Sequence, residues 1–548
     1  MDDFCPNMIV FAFCQSERRP LRMPTSTRIS PKAQTMPPTI ELLGRGHITM
    51  EDALEEEKNV INWVSYGPAT DKLYRKIWEA RDTVAALVVH HMGVGRQANC
   101  IVLPPDQWIR GSFNVCVFVE VTSGTGEQRK AVFRCPLPHK LAESEYPGSV
   151  DEKISCEVGA YAWIEENCPE IPSPHLFGFG FSDGRHYTHS KHTRLFDRVS
   201  RRFWCYVYKC FRLPLLSQYV CNPPNHQVQS AYMVLEYLGH ETGEMLSNTF
   251  AAGREDGARR QRLFRGISQV ILSLARIPQA QIGSFQFNNN GTITLTNRPL
   301  LCSMMISEND GAARIIRPND TYSCTDSFVS DMLTFHDHRF LRQANAVYSQ
   351  NDCRGQMTVK TLLRVLSPVH IKRELRDGPF RLQFTDLHAS NILVDKEWNV
   401  TGIIDLEWIC SLPLEMLDVP YWLTGCAIDQ ITGDELERFD EIRREFMRIF
   451  EEEERTFNIE AIRDNTLSHV MRDLWESKGV WFWHCISSVN AMYFILESHL
   501  YPAGSLPLEA ERCVSGFWCR DSEDVVRMKL AEKQAYDDEL RKLFLEER

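Results

Sequence analysis

The chain has no uninterrupted apolar run of about eighteen residues, the length at which a transmembrane helix is read from sequence. It also lacks positive charge at its start. MDDFCPNMIVFAFC carries Asp2 and Asp3 where a secretory leader carries Lys or Arg, so secretion is not expected. Positive charge is in deficit overall: Lys+Arg 61 against Asp+Glu 73 gives a net charge of -12. That argues against a general nucleic-acid binder, because phosphate contacts need a basic surface. Cysteine is abundant but unpaired in pattern. The 18 cysteines are irregularly spaced with no CxxC, and Cys205 and Cys210 have no second pair to complete a zinc site. In so long a chain they read as reduced thiols, and a cytoplasmic protein is expected. No internal repeat is present.

A chain of 548 residues exceeds one small core, so two or more core-bearing regions are expected. Residues 1–40 are rich in Arg, Ser, Thr and Pro (SERRPLRMPTSTRISPKAQTMPP) and read as a disordered tail. A mitochondrial transit peptide is the alternative; its Arg and Ser content fits, whereas Asp2 and Asp3 oppose it. Residues 41–105 read as a helical extension, with a helix over Lys72–Met92. Strand signals then dominate. Ser112–Val121 and Lys130–Cys135 flank the polar turn TSGTGEQR, which predicts a hairpin. A helix is predicted over Val150–Glu166, stopped by CPEIPSP. Ala231–Leu238 reads as a short buried strand, and IGSFQFNNNGTITLT and NILVDKEWNVTGIID as hairpins. The remainder reads as helical, with Leu436, Phe439, Ile442, Phe446 and Ile449 on one face. Strands early and helices late predict an α+β protein of two lobes, 106–238 mostly β and 239–548 mostly helical.

The chemistry concentrates in Phe384-Thr385-Asp386-Leu387-His388-Ala389-Ser390-Asn391, followed by the hairpin to Asp405. Ile392–Val394 and Val400–Ile404 are apolar strands around the turn Asp395–Asn399. In an antiparallel hairpin the residue before the first strand and the residue after the second lie at one end. Asn391 and Asp405 are those residues, and strands lie about 4.8 Å apart. An amide oxygen and a carboxylate at that spacing suit magnesium, which takes oxygen ligands and keeps places for water and phosphate. Asp386, five residues before Asn391, supplies the acid of a phosphoryl-transfer arrangement. An alternative makes Asp386, His388 and Asp405 ligands of a transition metal in a hydrolase. A surface hairpin with a polar group at each end is the bland reading; it is opposed by strands apolar enough to be buried.

The string TDLHASNILVD…TGIIDLEW resembles the catalytic loop and metal hairpin of aminoglycoside and choline kinases, HGDLHxxNxxxD…IDxE. It is most similar to fungal proteins carrying an aminoglycoside-phosphotransferase domain, and the likeness runs over about residues 105–500. RCPLP, EVGAYAWIEEN, IPSPHLFGFG and VLEYL are similar to successive segments of that family. The resemblance implies a two-lobed protein-kinase-like fold, ATP and Mg2+ as cofactors, and a small-molecule acceptor. It implies that Asp386 is the catalytic aspartate and that Asn391 and Asp405 are the magnesium ligands. Glu236, Tyr237 and Leu238 would form the linker that meets adenine through its backbone. Arg134 would stand at the phosphate-binding lysine's place and pair with Glu157. Ser112 belongs to Arg110–Asn114, which resembles the nucleotide loop.

Two departures bear on activity. Phe384 and Thr385 stand where the family has His and Gly. Arg134 is a forked, permanently charged donor in place of a lysine, with Lys130 a second candidate on the same strand face. Glu157 falls inside the apolar stripe Ile154, Val158, Tyr161 and Ile164, where a buried acid needs a partner. Trp408, Tyr421 and Trp422 read as core before they read as a cation-binding cage. Arg185–Arg212 holds eight Lys or Arg, against Asp183 just before it and Asp197 within it. It reads as a solvated insertion or partner surface. An ATP- and Mg2+-dependent small-molecule kinase is expected, and a catalytically silent pseudokinase is the alternative. A protein kinase is disfavoured, since no APE-like segment follows Asp405 and LEW stands where FG would be.

Overall fold

Valines at every second position set the first element. In Asn114–Thr122, Val115, Val117, Val119 and Val121 are buried while the intervening residues are only partly so. This is the period-two signature of a strand with one face on a core. Its partner Gln128–Pro136 runs antiparallel, placing Val119 opposite Ala131, Val117 opposite Phe133 and Val115 opposite Cys135. The computed structural model describes residues 39–95, 98–457, 466–501 and 507–546. It is an α+β molecule, 52% helical and 17% strand.

These strands lie in an eight-stranded antiparallel sheet. Its order is Tyr219–Cys221, His186–His189, Leu176–Gly180, Tyr232–Glu236, Gln128–Pro136, Asn114–Thr122 and Asn99–Val102, with Ile109–Arg110 also on Asn114–Thr122. One face is covered by helices Tyr66–Glu79 and Arg81–Met92, whose Ile77, Val84, Leu87 and Val88 pack on the valines and Phe133. The predicted helix Lys72–Met92 is thus two helices meeting at Ala80. Against the other face lies helix Ser149–Asn167, which is buried almost all round. Strand alternation turns Arg134, next to Phe133, toward that helix.

Beyond the helix is a six-stranded sheet ordered Pro278–Gln279, Phe380–Phe384, Ile409–Leu412, Gly283–Phe287, Thr292–Asn297 and Leu215–Leu216. A three-stranded sheet pairs Glu244–Met245, Ile392–Val394 and Val400–Ile403. Gly159 lets the helix approach closely, since a Cβ there would sit 2.8 Å from Cβ of Phe285. Phe380–Phe384 and Ile409–Leu412 fall where sequence predicted only helix around the hairpin Ile392–Ile403. FRLQF alternates apolar and polar residues at period two, but five residues are too short a run to separate strand from helix.

Much of the rest is helical, and the last helix, Ser522–Glu546, returns to the first described residues. Its Tyr536, Leu540 and Phe544 pack on Ile40, Leu42, Ala53 and Val60. Of the stretch read as a tail, Thr39 and Ile40 therefore belong to the strand Thr39–Leu42, because Ile40 has this apolar site to fill; 1–38 lie outside the described residues. The basic segment contains a second helix, Leu195–Cys210, with none of its residues buried. Its apolar stripe faces outward, Phe196 being 82% and Phe203 59% exposed. Arg201 and Cys205 turn inward to the backbone carbonyls of Ser217 and Leu216. Among the described residues no helix is long and apolar enough to cross a membrane.

Candidate functional site

Two antiparallel registers converge on one point. In the six-stranded sheet Phe384 faces Ile409. Two residues onward along one strand and two back along the other, Asp386 and Glu407 leave the sheet at the same end. Thr385 fixes that junction, its backbone N–H and its hydroxyl both donating to Trp408 O, at 3.1 and 2.7 Å. In the hairpin Ile392 faces Ile403, and Ile404 N donates to Asn391 O at 3.0 Å. Asn391 and Asp405 thus stand together at its open end. Asn391 Nδ2 donates to Asp386 O at 3.0 Å, which leaves Oδ1 for another donor or a cation. Asp405 holds φ 61°, a left-handed conformation that Asp tolerates better than most side chains.

Charge is packed densely behind these residues. Arg134 contacts Glu157 and Asp405 directly and lies 3.3 Å from Glu407. Lys153, one turn before Glu157, bonds Glu157 at 3.0 Å and also pairs with Glu407. Asn114 joins both signs, accepting from Lys153 at 2.9 Å and donating to Glu407 at 2.8 Å. Arg134, Lys153, Glu157 and Glu407 are all buried. Arg134 and Lys153 contribute +2 and the four carboxyls Asp386, Glu157, Asp405 and Glu407 contribute −4, so with every group ionised the cluster is −2. Burial, then Glu407 and Asp405, hold the Asp386 carboxyl well above the usual range. Burial raises Asp405 to about 6 against the pull of Arg134, with Glu407 and Glu157 adding to the rise. Its side chain remains 37% exposed at the surface of the cluster. An amide oxygen and a partly open carboxylate, in a site short of two positive charges, fit a hard divalent cation.

Lys153 carries no motif of its own and was missed from sequence, its only signal being its place at i−4 from Glu157; Glu407 is the acid of the IDxE pattern but was given no role there. His388 belongs to the loop, with Nδ1 accepting from Ser390 N at 3.3 Å and Nε2 at 3.8 Å from Asp386. It does not gather with Asp386 and Asp405 into a metal-sized group of ligands, as the hydrolase alternative needs. Ser112 is exposed in the turn before Asn114, which Gly111 N closes by donating to Asn114 O at 2.8 Å. Glu236, at the end of its strand, accepts from His175 N at 3.1 Å. Tyr237 meets Phe118 edge-on at 5.5 Å. Leu238 reaches the hairpin Ile392–Ile403, where a Cβ on Gly402 would lie 3.2 Å from its Cδ1. Lys130 is exposed and pairs with Glu120 at 3.1 Å, away from the charge cluster. Trp408 is buried core, while Tyr421 and Trp422 are half-buried against it. A cleft of about 760 Å³ lies elsewhere, lined by Asp151, Arg185, Asn290 and Arg314 among others, and none of the predicted site residues lines it.

In comparison with known proteins, the chain matches no protein-family model, and no curated protein matches it.

Proposed function

We propose that this protein is an ATP- and Mg2+-dependent phosphotransferase acting on the hydroxyl of a small molecule, built on a two-lobed protein-kinase-like fold of the aminoglycoside-phosphotransferase type. The observation that carries the reading is the −2 cluster, with Asp386, Asn391 and Asp405 on its rim and Arg134 tied to Glu157 behind them. Magnesium, when bound, would bridge protein to phosphate and offset developing charge. Asn391 and Asp405 would hold it. Asp386 would accept and orient the acceptor's proton, its raised affinity for protons suiting a base. Glu157, itself held by Lys153, positions Arg134, which would meet a phosphate oxygen on giving up its bond to Asp405. Glu236–Leu238 would offer backbone groups to adenine.

Asp405→Asn removes a charge from the metal site and is expected to weaken Mg-nucleotide binding and transfer together. Asp386→Asn leaves the metal ligands in place. It is expected to spare ATP binding while lowering turnover by about two to four orders of magnitude. Nucleotide titration beside background ATP hydrolysis reads both. Loss of nucleotide binding in a folded Asp386→Asn protein would overturn these roles.

One observation favours a second reading. Arg134 already pairs with Asp405, an arrangement that a catalytically silent nucleotide-binding module could keep without metal. Thermal stabilisation by ATP in chelator, unchanged on adding magnesium, would select that alternative.

A further inference from the structure

Away from the charge cluster, three histidines converge. His175 precedes the strand Leu176–Gly180, His189 ends His186–His189, and His192 closes the turn Ser190–His192. A ligand atom from each lies within 4.8 Å of the other two, and among the described residues this is the only such group of His, Cys, Asp or Glu. His175 Nε2 and His192 Nε2 are 3.0 Å apart. Nitrogens on one tetrahedral zinc, each at about 2.0–2.1 Å, lie roughly 3.3 Å from each other, so the pair already has the size of one edge.

We infer that His175, His189 and His192 form a binding site for a divalent transition metal of the zinc type. Three imidazoles suit that class rather than magnesium or calcium. The fourth position falls to water, as in sites with three protein ligands. His189 Nε2 now bonds Glu165 Oε1 at 3.0 Å, and its Nδ1 accepts from Lys191 N at 3.1 Å. Metal at Nε2 moves the ring proton to Nδ1, at the expense of the Lys191 bond. Glu165 remains beside the cation as an anion, with Lys191 Nζ 3.6 Å from it. The site is independent of the phosphotransfer reading, yet it touches the linker. His175 N donates to the Glu236 carboxylate at 3.1 Å and His175 O accepts from Glu236 N at 2.8 Å. A metal would therefore clip the end of that strand to the turn that leads into helix Leu195–Cys210.

The test uses the full chain, stripped by chelator and titrated with zinc by calorimetry and with cobalt by visible absorption. A single equivalent is expected, with the intense cobalt spectrum of a tetrahedral site and zinc affinity undiminished by excess magnesium. His192→Gln and His175→Gln, both at partly exposed positions, are each expected to weaken zinc binding at least about tenfold. Asp405→Asn is expected to leave it unchanged. Absence of zinc binding by the native chain, or equal binding by both histidine variants with native circular dichroism, would overturn the site. Zinc binding lost in Asp405→Asn would move it to the charge cluster and overturn it equally.

Discussion

Burial would suit Asp386 to the proton-accepting role proposed for it, and it works against the fold at the same time. Its carboxyl is raised above its unfolded value by burial and by Glu407 and Asp405. A raised acid contributes stability that is fully present below its unfolded pKa, near 4, and lost as pH rises through the folded value. Asp405, raised to about 6, acts in the same sense. In metal-free buffer the contribution of these two acids to the melting temperature is therefore expected to fall as pH climbs above about 4. Asp386→Asn should flatten that fall and melt above the native chain at the alkaline end; an unchanged pH profile would contradict the account. Asn391 and Asp405 could be read from the apolar hairpin whose ends they form, and Glu157 from the apolar stripe around it, whereas Arg134 as its partner came only from the family resemblance. Lys153 could not be read. A lysine on a helix reads as solvent-facing, and only a helix buried on both sides reverses that.

That helix, Ser149–Asn167, is the element on which both sheets lean. Gly159 sets its distance from Gly283–Phe287, and Glu152 at its start bonds Arg298, which also bonds Glu308 at 3.1 Å. Gly159→Ala gains about 1 kcal/mol of helix propensity. Against this stands overpacking of about 1–3 kcal/mol, because Cβ of Phe285 is backbone-anchored and cannot swing away. Net destabilisation in urea titration is expected; a more stable variant would mean that the helix can shift. Glu308→Gln leaves the buried Arg298 with one carboxylate partner fewer and is expected to cost about 3–5 kcal/mol. The hairpin Ile392–Ile403 was legible as an element because DKEWN separates two apolar runs. Phe380–Phe384 was not, since its alternation spans only five positions and would have put Arg381 and Gln383 on a face toward water. Both are in fact buried, Gln383 donating to Pro413 O at 2.9 Å.

At the scale of the molecule, the early and late segments form one small core. Tyr536 OH accepts from Val60 N at 2.9 Å, across 476 positions of chain. Leu540 is fully buried between them. Leu540→Ala is expected to cost about 2–5 kcal/mol, read as a lower melting temperature, while Mg-nucleotide titration of the folded protein stays unchanged. Neither the pairing nor its residues could be read from sequence, because amphipathic periodicity reports which face is apolar and never what it meets.

This closure has a consequence for biosynthesis. A ribosome adding about 5–20 residues per second delivers Tyr536 roughly half a minute to a minute and a half after Val60. For that interval Ile40, Leu42, Ala53 and Val60 have no Tyr536, Leu540 or Phe544 to cover them. Among the described residues, the core met first along the chain is one of the last to be completed.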